Sequence, residues 1–156
     1  MTAQKREILF FEDEFHSMVT EPLEPYLASL KVPVKFEAPT TNCWRGYQGT
    51  WKIENDRLFL TKLDAYVFGY RKVDINYLFP GEPVVFANWF TGEIRLQEGE
   101  LLYYVHQGFE SIYSYDLFLE LENGKLLNTR LVGNVEEAMR RKKEDEDNQS
   151  IEDGPF

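Results

Sequence analysis

From about residue 7 to residue 134, apolar and polar positions alternate with a period of two and are interrupted by turn dipeptides, the pattern of half-buried strands. Three hairpins are predicted. Asn55-Asp56 separates Trp51-Lys52-Ile53-Glu54 from Arg57-Leu58-Phe59-Leu60, so a two-residue turn pairs Glu54 with Arg57 and Ile53 with Leu58. That register puts Trp51, Ile53, Leu58 and Leu60 on one face. Glu98-Gly99 serves as a second turn, with Ile94, Leu96, Leu101, Tyr103 and Val105 on a common face. At Asn123-Gly124 a three-residue loop ending in a left-handed Gly124 sets Leu119 opposite Leu127 and Leu117 opposite Thr129, a better match than the two-residue alternative. Further strands are expected near Glu7 to Phe11, Tyr66 to Val73 and Pro83 to Asn88. The expected fold is mainly β: an antiparallel sandwich or partly closed barrel of about eight or nine strands.

Helical signals are few. Glu21 to Leu30 reads as a turn or short helix limited by Pro22 and Pro25, and Lys31 to Asn42 as extended connector. Val135 to Lys143 has Asn134 as its N-cap, acids at the start and four cations at the end, which predicts a short C-terminal helix. Glu144 to Phe156 has one aliphatic residue and no periodicity, and reads as a solvated acidic tail without order. The chain thus divides into one β-rich domain over 1–134, a helix over 135–143 and a tail over 144–156.

Composition narrows the function classes. The 156 residues carry 27 acids against 17 bases, a formal charge of −10. From Glu136 onward the charge is −4, so the folded body is acidic as well. This balance opposes the counterion-release binding of nucleic acid. One cysteine excludes an internal disulfide framework. No apolar run nears the roughly 20 residues of a spanning helix, and the first residues lack a secretory apolar segment, so no membrane role and a cytoplasmic address are expected.

The chain contains no phosphate-binding glycine loop, no dinucleotide fingerprint, no H-E-x-x-H and no nucleophile elbow. With two histidines and one cysteine, at no metal-ligand spacing, neither a metal nor a cofactor is expected. Cys43 with His106 and an acid meets the roles of nucleophile, base and orienter, but a lone cysteine is more often a small core hydrophobe.

Two aromatic runs are distinctive. In Cys43 to Trp51, Trp44, Arg45 and Tyr47 precede or open a strand, where an Arg stacked on an aromatic suits a carboxylate or phosphate. The plain alternative is a structural Arg45 paired with a nearby acid. Gly49-Thr50-Trp51 resembles the G-x-W tripeptide of lipocalins and related small-ligand barrels, but stands a third of the way along the chain instead of on the opening strand. The second run carries Trp89, then Tyr104, His106 and Glu110 as a polar cluster with His106 as proton carrier, against a plain reading in which His106 caps a strand end.

The runs CWRGYQGTWKI and FANWFTGEIRL…GELLYYVHQGFESIY resemble a family of small bacterial β-rich proteins of unknown function. The similarity covers about residues 6 to 130 and implies a bacterial source. It implies no activity, ligand or site residue.

The leading expectation is a binding protein without catalysis, an inhibitor or immunity-type module whose acidic surface steers a basic protein partner. Its binding residues are drawn from Trp44, Arg45, Tyr47, Trp89, Tyr104, His106 and Glu110. Alternatives are a lipocalin-like barrel holding a small hydrophobic or anionic ligand, and a hydrolase or isomerase using His106 and Glu110.

Overall fold

The computed structural model describes residues 4–105 and 111–152. These contain nine strands: β1 (Glu7–Phe11), β2 (Glu14–Met18), β3 (Tyr47–Glu54), β4 (Arg57–Val67), β5 (Arg71–Val73), β6 (Val85–Phe86), β7 (Gly92–Tyr103), β8 (Ile112–Glu122) and β9 (Lys125–Gly133). Helix α1 spans Leu23–Ser29, α2 Ile75–Leu78 and α3 Val135–Glu152, and a 3₁₀ turn covers Phe68–Tyr70. The strands form one sheet whose order β3-β1-β2-β7-β8-β9-β4 returns on itself through the β3–β4 pairing, while β5 and β6 add to β4. Seven strands therefore make a ring, the partly closed barrel expected. All pairings are antiparallel except β1 with β3, which is parallel.

Two seams of the ring are narrow. β2 meets β7 at the single register pair Met18–Leu96, and β4 meets β9 at Arg57–Lys125. The ring interior is filled by side chains, with Leu9, Trp51, Leu58, Leu60, Ile94 and Leu119 all at 0% exposure. Strand β4 shifts its inward phase by one residue at an irregularity opposite Thr50 and Trp51: Leu58 and Leu60 are buried before it, Leu63 and Ala65 after it.

The hairpin at Asn55-Asp56 has the expected register. Asn55 and Asp56 both take positive φ, 52° and 58°, as a twist-matched two-residue turn requires. Glu12-Asp13 repeats this geometry at 51° and 63°, closing the β1–β2 hairpin with residues that carry no Asn-Gly signal.

Two hairpin expectations are corrected. No turn forms at Glu98-Gly99: β7 runs straight through it and pairs with β8. Only Gly99 is left-handed there, at φ 81°, and one such residue makes a bulge where a tight turn needs two. Ile94 and Leu96 stay buried, but past the bulge Leu101 is exposed, so the predicted common face is broken. At Asn123-Gly124 the loop has two residues, both at positive φ, pairing Glu122 with Lys125. The bulge lies further along, at Leu127, so Leu119 faces Thr129 and Leu117 faces Leu131.

The region from Tyr66 to Val73 is also not one strand, since the 3₁₀ turn at Phe68–Tyr70 reverses the chain between β4 and β5. Pro83 to Asn88 contributes only Val85–Phe86. In α1, Pro22 occupies the N-cap and Pro25 the first turn, positions whose N–H groups have no helical acceptor. Helix α3 continues nine residues past Lys143, through Glu152, so the acidic segment is helical over 144–152. Arg140 bridges Glu137 and Glu144 at i−3 and i+4, and the run Glu136 to Glu144 from which the acidic segment continues consists of good helix formers.

Gly124 packs closely: a Cβ there would lie 2.5 Å from the Ala87 carbonyl oxygen and 2.8 Å from the Phe86 ring. Gly81 has the same φ, 79° against 78°, in open space. Urea denaturation should therefore show Gly124→Ala costing about 3 kcal/mol and Gly81→Ala about 1 kcal/mol, since only the first adds a clash to the left-handed backbone.

Candidate functional site

The narrow β2–β7 seam produces the site. Beyond Met18–Leu96 the seam is held by Val19 N–H donating to the Arg95 carbonyl at 2.9 Å and Arg95 N–H donating to the Thr20 hydroxyl at 3.0 Å. In the other direction the strands separate, and a cleft of about 390 Å³ opens between them. Arg6, His16, Gln97 and Glu98 line it. So do Phe15, Leu101 and Tyr104, which are 70%, 47% and 61% exposed and form an apolar rim.

The polar lining is internally paired. His16 Nδ1 contacts Glu98 Oε1 across the gap, and its Nε2 lies 3.3 Å from the Phe11 carbonyl oxygen. Both ring nitrogens thus face acceptors. Arg6 Nη1 donates to Gln97 Oε1, and Gln97 Nε2 donates to the Ser111 carbonyl at 2.6 Å. Such an arrangement sets a hydrogen-bonded polar surface beside an apolar rim, with both His16 nitrogens directed at oxygen atoms of Glu98 and Phe11.

Acids gather around this end of the barrel. Exposed Glu14 precedes Phe15, and exposed Glu100 precedes Leu101. The Tyr103 hydroxyl, next to Tyr104, donates to Asp145 Oδ2 of α3, and the Arg141 guanidinium sits 5.6 Å from the centre of the Tyr103 ring. The Asp145 hydrogen bond raises the Tyr103 phenol above its ordinary value. The acidic half of α3 is thereby pinned to the end of β7 that borders the cleft.

The first aromatic run serves a different purpose. Glu7, on β1, is fully buried. Its carboxylate accepts from Arg45 Nη2 at 2.8 Å, from the Gly49 N–H, and from the Trp51 indole N–H at 3.2 Å. Burial pushes the Glu7 carboxyl up, while Arg45 and the two N–H donors pull it back. Glu7 in turn holds the Arg45 guanidinium charged against its own burial. A Cβ at position 49 would lie 2.6 Å from Glu7 Oε1 and 2.7 Å from Trp51 Nε1. The G-x-W tripeptide is thus the seat of a buried carboxylate: glycine admits it and tryptophan donates to it. Arg45 also donates to the Lys5 carbonyl at 2.6 Å and lies over the Tyr47 ring at 5.1 Å. Tyr47 is buried, with its hydroxyl donating to Glu24.

The other candidates are dispersed. Trp44 is exposed outside the cleft. Trp89 packs into the core: it stacks on Phe79 at 5.8 Å, contacts Tyr26, and its indole N–H donates to the Pro22 carbonyl at 2.8 Å. Tyr104 lines the cleft, while His106 and Glu110 lie outside the described residues. Cys43 is buried, its thiol directed at the Tyr47 carbonyl at 3.4 Å. Among the described residues no group of three or more His, Cys, Asp or Glu side chains suits a metal, and no helix is long and apolar enough to cross a membrane.

Sequence reasoning missed Arg6, His16, Gln97, Glu98 and Glu7. The usable signal for His16 was the short alternation Glu14-Phe15-His16-Ser17-Met18 after Glu12-Asp13. Comparison of the chain with protein-family models, curated proteins and solved structures finds no match.

Removing one partner of a buried ion pair strands the other, so Glu7→Ala and Arg45→Met should each cost about 3 kcal/mol in chemical denaturation. The double variant should cost less than their sum. A folded-state Glu7 pKa above the unfolded value means that the native state binds this proton more tightly. Its contribution to stability is then present at acid pH and lost as pH rises through the raised value. Stability followed from pH 4 upward should show that slope in the wild type and not in Glu7→Gln.

Proposed function

We propose that the protein is a non-catalytic docking module that captures a basic protein partner in the β2–β7 cleft. One observation carries this reading: an apolar rim of Phe15, Leu101 and Tyr104 encircles a fixed polar floor at the end of the barrel where the acidic half of α3 is anchored. Aromatic anchors around a desolvated centre supply binding energy, and the acidic collar steers an oppositely charged surface. The lipocalin-like alternative finds less support, because the ring interior is occupied by Trp51 and its aliphatic neighbours.

Native mass spectrometry of the protein purified from its own source at low salt tests the proposal. A stoichiometric basic partner should be present, dissociate at high salt, and bind at least tenfold more weakly to Phe15→Ala and to Tyr104→Ala. A bare monomer, an acidic partner, or a complex indifferent to both substitutions overturns it, and a small mass retained on the monomer would favour the ligand alternative.

A further inference from the structure

A second site with the opposite charge lies on the outer face of β3, β4 and β5. The register places Gln48 beside Asp64, Thr50 beside Lys62 and Tyr66 beside Lys72. Over these side chains passes the connector around Pro39 to Cys43, leaving a groove of about 480 Å³. Lys5, Lys62 and Lys72 all line it, against one acid, Asp64. Lys62 Nζ and Lys72 Nζ lie 3.6 and 3.5 Å from the two Asp64 oxygens. One carboxylate therefore orients two ammonium groups without consuming them. Both are ion pairs at separations longer than an ordinary hydrogen bond, so the ammonium N–H donors stay available, and three lysines against one carboxylate leave two net positive charges at the groove. Such a surplus is out of keeping with a chain of charge −10.

Lysine is a point charge suited to phosphate oxygens. Lys72 also borders a neighbouring groove of about 490 Å³ lined by Arg71, Val73, Asp74, Asn76 and Tyr77, where one cation offsets one acid and there is room for the uncharged remainder of a molecule anchored at the lysines. We propose that the Lys5–Lys62–Lys72 groove binds the phosphate of a small phosphorylated molecule. The site is separate from the cleft and independent of the partner proposed for it.

Adenosine diphosphate, pyrophosphate and adenosine are the probes, titrated calorimetrically into the full chain. The expected result is saturable binding of both phosphorylated probes and none of adenosine. Lys62→Gln with Lys72→Gln, both at exposed positions, should weaken binding at least tenfold. Asp64→Asn should strengthen it several-fold, because the competing carboxylate charge is gone. A purely structural Asp64 would not give that gain. No saturable binding of either phosphorylated probe, or binding unchanged in the lysine double variant, overturns the proposal. Unchanged thermal unfolding of the double variant establishes that any loss is not a loss of fold.

Discussion

The buried Glu7 carboxylate is the interaction on which the barrel depends. It belongs to β1, yet its hydrogen-bond donors come from β3 and the segment before it: Gly49, Trp51 and Arg45. A parallel pair of strands has no hairpin to set its register, so something else must fix β1 against β3. Here a charge does so, since a carboxylate without these donors would be too costly to bury. The pairing of Leu9 with Trp51 follows, and with it the closure of the ring on the β3–β4 side.

Once β1 is fixed, its hairpin carries β2 across to β7, where a single register pair joins them. β2 has 5 residues against 12 in β7, and beyond their one register pair the cleft opens. Side chains then do what backbone ladders do elsewhere, with His16 and Glu98 spanning the gap. The Gly99 bulge turns Leu101 outward to the rim. The cleft is therefore a product of incomplete barrel closure, built from residues that would otherwise have faced a paired strand.

Charge is distributed unevenly over this frame. Acids collect where α3 meets β7, and lysines collect on the opposite run of β3, β4 and β5. A net charge of −10 conceals both regions, because it is a sum over the surface and reports nothing about location. The argument from composition against nucleic acid concerns long-range steering and does not reach a local groove.

Much of the fold was legible in the sequence. Period-two alternation identified the strands, and Asn55-Asp56 set one register, because strand pattern and turn chemistry are local and adjacent. Glu98-Gly99 misled, because a glycine suits a bulge as well as a turn and only the neighbouring backbone distinguishes them. The site was far less legible. Arg45 and Tyr47 looked like ligand residues because their partners, Glu7 and Glu24, lie 38 and 23 residues away. By itself the sequence determined the β-rich class, the positions of most strands, the acidic surface and the amphipathic choice of which residues would be buried. Only the tertiary structure decided that strands distant in sequence would close into a ring, that one carboxylate would be buried to lock it, and that His16, Glu98 and Arg6 would meet. Those outcomes rest on contacts between distant segments, whose energies depend on shared burial and charge and have no local pattern to reveal them.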